Sequence, residues 1–261
     1  MSWVAALDFA QGRHHRAAGV PCQDFGRVVH PAEDVLLGAI ADGAGSAALG
    51  HLGAQAAVGA AIALLGPRLG ANPGLRGDPA GGPGGADALF DGLLEAARAA
   101  ISETARHQGR PIDALATTLT VFAAGPLGVA VFQIGDGWIV SRGPEGDYAL
   151  VGHPQRGEYA NETVFVTGAD AEETLAITHI AEPIRFLCAA TDGLTHVSIA
   201  AADDRPHAAF FQPLDSFIAS TEDAADAHRA IRGFLRSEGL RARVEDDVTL
   251  MLGGWHPLGR A

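Results

Sequence analysis

The sequence predicts an α+β fold built on antiparallel sheets. Runs of β-branched and apolar residues follow one another through the second half of the chain, separated by short polar breaks. The regular strand–helix alternation of a doubly wound parallel sheet is absent. At 261 residues the chain is long enough for one large domain with a full core, and one domain over 1–261 is expected.

The elements follow in order. Residues 4–9 and 35–41 are apolar runs and predict strands. Residues 46–65 are rich in alanine and predict a helix packed closely on a sheet, with Ser46 as its N-cap. The uncharged stretch 43–67 has the length of a bilayer span. However, alanine and glycine are only weakly apolar, and His51 and Gln55 interrupt it, so burial inside protein is expected. Residues 66–85 are dense in glycine and proline and read as a mobile loop. Over 86–107, Leu89, Leu93, Ala97, Ala100 and Ile101 recur at helical spacing. Strands are then expected at 115–123, 128–134, 138–141, 148–151, 163–166, 175–180 and 184–190. A further helix is expected at 224–236 and a closing strand at 248–253.

The chain is 48% hydrophobic and 19% charged, with a formal net charge of −13. That excess of negative charge argues against nucleic acid and anionic membrane as partners. Cys22 and Cys188 form no C-x-x-C pair and are expected to be small buried residues, not a disulfide. No basic-then-apolar leader opens the sequence, so a cytoplasmic location is expected.

The chemistry is carried by aspartates. Gln23-Asp24, Ala41-Asp42-Gly43, Gly135-Asp136-Gly137, Thr191-Asp192-Gly193 and Asp246-Asp247 each begin or end an expected strand. One Asp-Gly alone is usually a turn. Five at strand ends can converge on one site, and carboxylates share a site in ionised form only when cations neutralise them. Oxygen ligands select hard ions, Mg²⁺ or Mn²⁺. Beside Asp42, Gly43 allows close approach of its backbone carbonyl. Residues 43–48 also fit G-x-G-x-x-A. No second strand ending in an acidic residue follows about 20 positions on, and Asp42 would repel a pyrophosphate, so a dinucleotide site is rejected.

The segments PCQDF (21–25), AIADGAGS (39–46), ATTLTVF (116–122), FQIGDGWIV (132–140), FLCAATDGLTHV (186–197) and VEDDVTLML (244–252) together resemble the metal-dependent protein phosphatases of the 2C type. GEYANETVF (157–165) and the run from His14 to Asp24 look like a bacterial branch. The resemblance implies a four-layer α-β-β-α sandwich, two antiparallel sheets flanked by helices, with a metal cleft at one edge. It implies Asp42 bridging two Mn²⁺ or Mg²⁺ ions, Gly43 offering its carbonyl, and Asp192 and Asp246 holding one ion. Asp24 would be a ligand of the other ion or stand just behind it, and Asp136 would join Asp192 at a weaker third ion. The implied activity is hydrolysis of phosphoserine and phosphothreonine in proteins by a metal-activated water, opposing a protein kinase. A non-catalytic binding module and a small-molecule phosphatase are the alternatives.

The chain departs from the family pattern in three places. Gln23 stands where an acidic residue is usual, Gly19 and Val20 stand near the position of a common arginine, and His196 stands four residues after Asp192. His15, just upstream, is therefore a candidate to bind phosphate or act as the acid, and joins Asp42 and Asp192 as a catalytic expectation. Residues 151–174 are expected to form a flap beside the cleft. Thr117 and Thr118 are read as ordinary strand residues.

Overall fold

The computed structural model describes residues 2–71, 77–81, 84–152 and 163–256. The chain begins with β1 (Ser2–Ala10), α1 (Arg13–Ala18), β2 (Asp24–Ala32), β3 (Val35–Asp42) and α2 (Gly50–Ala71). Next come α3 (Gly85–Phe90), α4 (Leu93–Gln108), β4 (Leu119–Gly125), β5 (Gly128–Ile134), β6 (Trp138–Arg142) and β7 (Ala149–Leu150). The remainder is α5 (Ala171–Thr174), β8 (Ala176–Ile180), β9 (Phe186–Ala190), α6 (Thr195–Ser198), α7 (Ala208–Ser220), α8 (Ala224–Leu235), α9 (Glu238–Arg241) and β10 (Val248–His256).

Two five-stranded sheets result, in the orders β1-β10-β9-β6-β7 and β2-β3-β4-β5-β8. Every strand pair is antiparallel. Trp3, Leu36, Ile40, Phe122, Val131, Leu187, Met251 and Trp255 fill the space between the sheets. The outer face of the β3–β4 sheet packs on α2, α3 and α4 through Leu37, Ala39, Val58, Leu65, Leu93 and Ile101. The outer face of the β9–β10 sheet packs on α7 and α8 through Cys188, Leu250, Phe211, Ile218 and Ile231. The predicted sandwich of two antiparallel sheets flanked by helices is therefore present. Strands β4 and β5 are buried at every residue because one face meets a helix and the other meets a sheet, which explains their unbroken apolar sequence.

Among the described residues, helix α2 is the one helix long and apolar enough to cross a membrane. Here Ala54, Ala57, Val58, Ala61 and Leu65 face protein, as expected from their small size. Its ends differ from expectation. It starts at Gly50, so Ser46 lies in the preceding turn and does not cap it. It also continues through Pro67 to Ala71. A proline inside a helix removes one backbone bond, but buried Leu69 anchors the last turn, and Arg68 donates to the Leu89 carbonyl at 2.5 Å.

Residues 77–81, expected to be mobile, are docked. Ala80 is buried, the Leu127 N–H donates to the Gly77 carbonyl at 2.9 Å, and Asp78 meets His179 at 2.8 Å. The single helix expected over 86–107 is two, because Gly92 adopts a left-handed φ of 74° that breaks the helical path. In the expected flap, 153–162, which includes most of GEYANETVF, lie outside the described residues. The strand expected at 163–166 is not formed: Val166 makes a lone backbone bond to Thr117, and Arg98 of α4 grips the carbonyls of Val166 and Gly168.

Candidate metal centre

Asp24 opens β2 and Asp42 closes β3, and the antiparallel register sets them opposite each other. Asp136 lies in the turn from β5 to β6, where the chain crosses between sheets. Asp192 follows β9, and Asp246 and Asp247 precede β10. All of these aspartates therefore lie at one end of the sandwich.

Electrostatics show that the group is close-knit. Burial, then the charges of Asp24 and Asp192, push the Asp42 carboxyl well above the usual carboxylate range. Burial, followed by Asp136 and Asp246, pushes Asp192 up to about 7. Burial raises Asp136, opposed by a hydrogen bond from the Thr163 hydroxyl to its Oδ2 at 3.0 Å. Burial also raises Asp24, against hydrogen bonds from Thr191 and Thr249. Among the described residues no arginine or histidine forms an ion pair with Asp24, Asp42, Asp136 or Asp192. With both acids ionised, Asp24 Oδ1 is buried without a donor among them; its carboxyl neighbour is Asp42, and the pair can share only a proton. A buried carboxylate oxygen with no donor, inside a cluster of mutually repelling acids, fits a divalent cation bound by oxygen.

Threonines hold this cluster, and reading Thr117 and Thr118 as plain strand residues missed their role. The Asp42 N–H donates to Thr118 Oγ1 at 2.9 Å, while the Thr117 hydroxyl and the Thr118 N–H donate to the Asp42 carbonyl, each at 2.9 Å. The Thr191 and Thr249 hydroxyls donate to Asp24 Oδ2 at 2.6 and 2.8 Å. The Thr249 N–H in turn donates to Thr191 Oγ1 at 2.9 Å. The available signal was position: each threonine stands beside a candidate aspartate or in the strand next to one. Gly43 is pinned by its N–H to the Gln23 carbonyl at 3.1 Å, and a Cβ there would lie 2.3 Å from the Gly50 carbonyl carbon. The loop can follow this path only without a side chain.

His15 lies on α1 and lines an open cavity of about 310 Å³ with His14, Asp42, Gly43, Gly45 and Asp246. Its Nδ1 is 2.9 Å from Asp247 Oδ2 and 3.9 Å from Asp246 Oδ1. A carboxylate only accepts, so Nδ1 carries the proton and Nε2 is the nitrogen left for the cavity. Asp247 is buried and also accepts from the N–H groups of Gly12 and Gln23, at 2.6 and 2.5 Å. His15, Asp246 and Asp247 offer atoms within 4.8 Å of one another. With both oxygens of Asp247 engaged, we read it as a strut for α1, not as an ion ligand.

His196 does not join the cluster. It is exposed on α6 and makes no hydrogen bond to Asp136 or Asp192 among the described residues. Burial raises the Cys22 thiol, reinforced by Asp24 and Asp247, so it stays protonated. Both cysteines are free.

A protein phosphatase 2C profile matches residues 11–236. The chain is 30% identical to serine/threonine-protein phosphatase 3 of Escherichia coli K12 over 262 aligned positions, covering 98% of this chain and 99% of the relative. A crystal structure of a bacterial serine phosphatase superposes with a TM-score of 0.65 at 13% identity, covering 97% of both chains. A serine/threonine phosphatase of Staphylococcus aureus superposes with a TM-score of 0.65 at 12% identity, covering 98% of this chain and 96% of that one.

Proposed function

The chain belongs to the protein phosphatase 2C family of serine/threonine phosphatases, and from that membership we propose a metal-dependent phosphoprotein phosphatase that hydrolyses phosphoserine and phosphothreonine esters. The observation that carries this reading is the convergence of Asp24, Asp42, Asp136, Asp192 and Asp246, with no arginine among the described residues paired to the buried members. Asp42, Asp192, Asp246 and the Gly43 carbonyl, with Asp24 nearby, would hold two Mn²⁺ or Mg²⁺ ions. Asp136 and Asp192 would hold a weaker third. When bound, the ions supply Lewis acidity and a nucleophilic water for in-line displacement at phosphorus.

The chain's own residues do the rest. Thr117 and Thr118 fix the backbone of Asp42, so its carboxylate is aimed before an ion arrives. Asp247 fixes the His15 ring and keeps Nδ1 protonated. His15 Nε2 then faces the cavity, where it binds a phosphate oxygen or, when protonated, donates to the departing serine or threonine oxygen. The protonated Cys22 has no part as a nucleophile. The natural substrate is a phosphorylated protein, and a protein kinase supplies it.

The test is hydrolysis of an aryl phosphate and a phosphothreonine peptide with Mn²⁺, with Mg²⁺ and after exhaustive chelation. We expect turnover of both with either ion and none after chelation. Full activity of metal-free protein would overturn the mechanism. Turnover of small phosphate esters alone would reassign the substrate. A folded protein that binds ions and turns over nothing would be a binding module.

A further inference from the structure

On the far side of α1 from His15 lies a second cavity of about 190 Å³. Its floor is apolar, with Leu235 and Leu240 from the α8–α9 segment and Val248 from β10. Arginines 13, 16 and 241 line it as well. We propose that this groove binds the segment of the substrate phosphoprotein that flanks the phosphoresidue, taking one large aliphatic or aromatic side chain with an acidic residue beside it.

Size decides the kind of occupant. Sites for small molecules run from about 300 to 1,000 Å³, and 190 Å³ suits a single leucine or phenylalanine side chain. Charge decides its neighbour. The molecule carries a net charge of −13, has no lysine and has 18 arginines, so three of them around one apolar floor stand out locally. Arginine presents a fork of donors matched to carboxylate. Arg241 makes no side-chain hydrogen bond or ion pair among the described residues. Arg13 pairs with Glu245, and both are exposed, so exchanging Glu245 for a peptide carboxylate costs little. Arg16 donates to the Gln11 carbonyl at 2.8 Å through one nitrogen.

Position joins the groove to the reaction. Asp246 lines both cavities, and α1 is the wall between them. The wall is thin at Gly12, where a Cβ would lie 2.3 Å from the Asp246 carbonyl carbon. A helix is about 10 Å across with its side chains, and an extended peptide advances about 3.3 Å per residue. A phosphoresidue in the cleft therefore places a side chain about three positions away over the groove. The inference rests on the phosphatase reading above and adds a substrate class to it.

The experiment uses the full-length protein with Mn²⁺ and phosphothreonine peptides that carry leucine or alanine, and glutamate or lysine, two to four positions from the phosphothreonine. We expect kcat/KM for leucine–glutamate peptides to exceed that for alanine–lysine peptides at least tenfold, mostly through KM. In Arg241→Glu, the ratio of kcat/KM for the acidic peptide to that for an aryl phosphate should fall at least fivefold, and lysine peptides should gain. A flat peptide preference, or an unchanged ratio in Arg241→Glu, overturns the proposal. A wild-type dimer that Arg241→Glu dissociates would give the groove to a second copy of the chain, which also overturns it. If neither peptide nor aryl phosphate is hydrolysed with Mn²⁺, the phosphatase reading fails and this inference fails with it. If hydrolysis is indifferent to the flanks, only the groove proposal fails.

Discussion

Asp24 and Asp42 stand directly opposite each other in the register of β2 and β3. Cross-strand partners lie about 5 Å apart, and like charges there are destabilising. We expect Asp24→Asn to raise the stability of metal-free protein by about 1 kcal/mol in chemical denaturation, while Mn²⁺ affinity measured by calorimetry falls. A destabilised metal-free variant would mean that the two carboxylates are not in conflict.

The same crowding sets a pH dependence. Asp24, Asp42, Asp136 and Asp192 all have carboxyls raised in the folded protein. The folded state therefore holds more protons than the unfolded chain between the ordinary carboxylate range and about 7, where Asp192 titrates. Stability from this source is complete below pH about 4 and is lost as pH rises through 7. Melting of chelated protein should show a fall in Tm from pH 5.5 to 8. Saturating Mn²⁺ should flatten or reverse that slope.

Removing charge while keeping shape should separate folding from turnover. Asp42→Asn and Asp192→Asn should fold, as judged by circular dichroism and melting, and lose at least about 10³-fold in kcat with Mn²⁺. Near wild-type rates in either variant would remove it from the site.

The threonines behind the aspartates should matter without touching an ion. Thr191→Val deletes the donor to Asp24 and the acceptor for the Thr249 N–H. We expect a loss of about 1–3 kcal/mol in stability and a drop of about tenfold in metal affinity. An unchanged affinity would make Thr191 a purely structural bond.

His15 should be read through the leaving group. An aryl oxide leaves without help, whereas a serine or threonine alkoxide needs a proton. His15→Gln should lower kcat on a phosphothreonine peptide about 10²-fold or more and lower it far less on an activated aryl phosphate. Asp247→Asn should move both substrates the same way with a smaller gap. Equal losses on both substrates would make His15 a phosphate binder.

Much of this was legible in the sequence because it was written in strong local patterns. The apolar run of β5 predicted its bounds to the residue, and the aspartates sat at strand ends where Asp-Gly pairs punctuate the chain. β2 was missed because it is half exposed and carries Gly26 and Pro31, which read as breaks. α7 was missed because Pro213 lies within it. The partners of the aspartates were illegible for another reason. Asp247 reaches Gly12, His15 and Gln23, more than 220 positions away along the chain, through contacts that no local period encodes.

The hydrogen bonds at Asp24 have a mechanical consequence. Asp24 belongs to one sheet, whereas its donors Thr191 and Thr249 belong to the other sheet or its edge. The bond from Gln23 to Asp247 crosses the same divide. Between the sheets the filling is apolar side chains, which resist separation but little resist sliding, with the Ile184 N–H bond to the Pro126 carbonyl near the far end. Directional bonds do resist sliding, since a slip of one residue, about 3.3 Å, breaks them all. The aspartate edge is thus also a rivet of the sandwich, and it helps to set the alignment of the two halves at the place where the ions would sit.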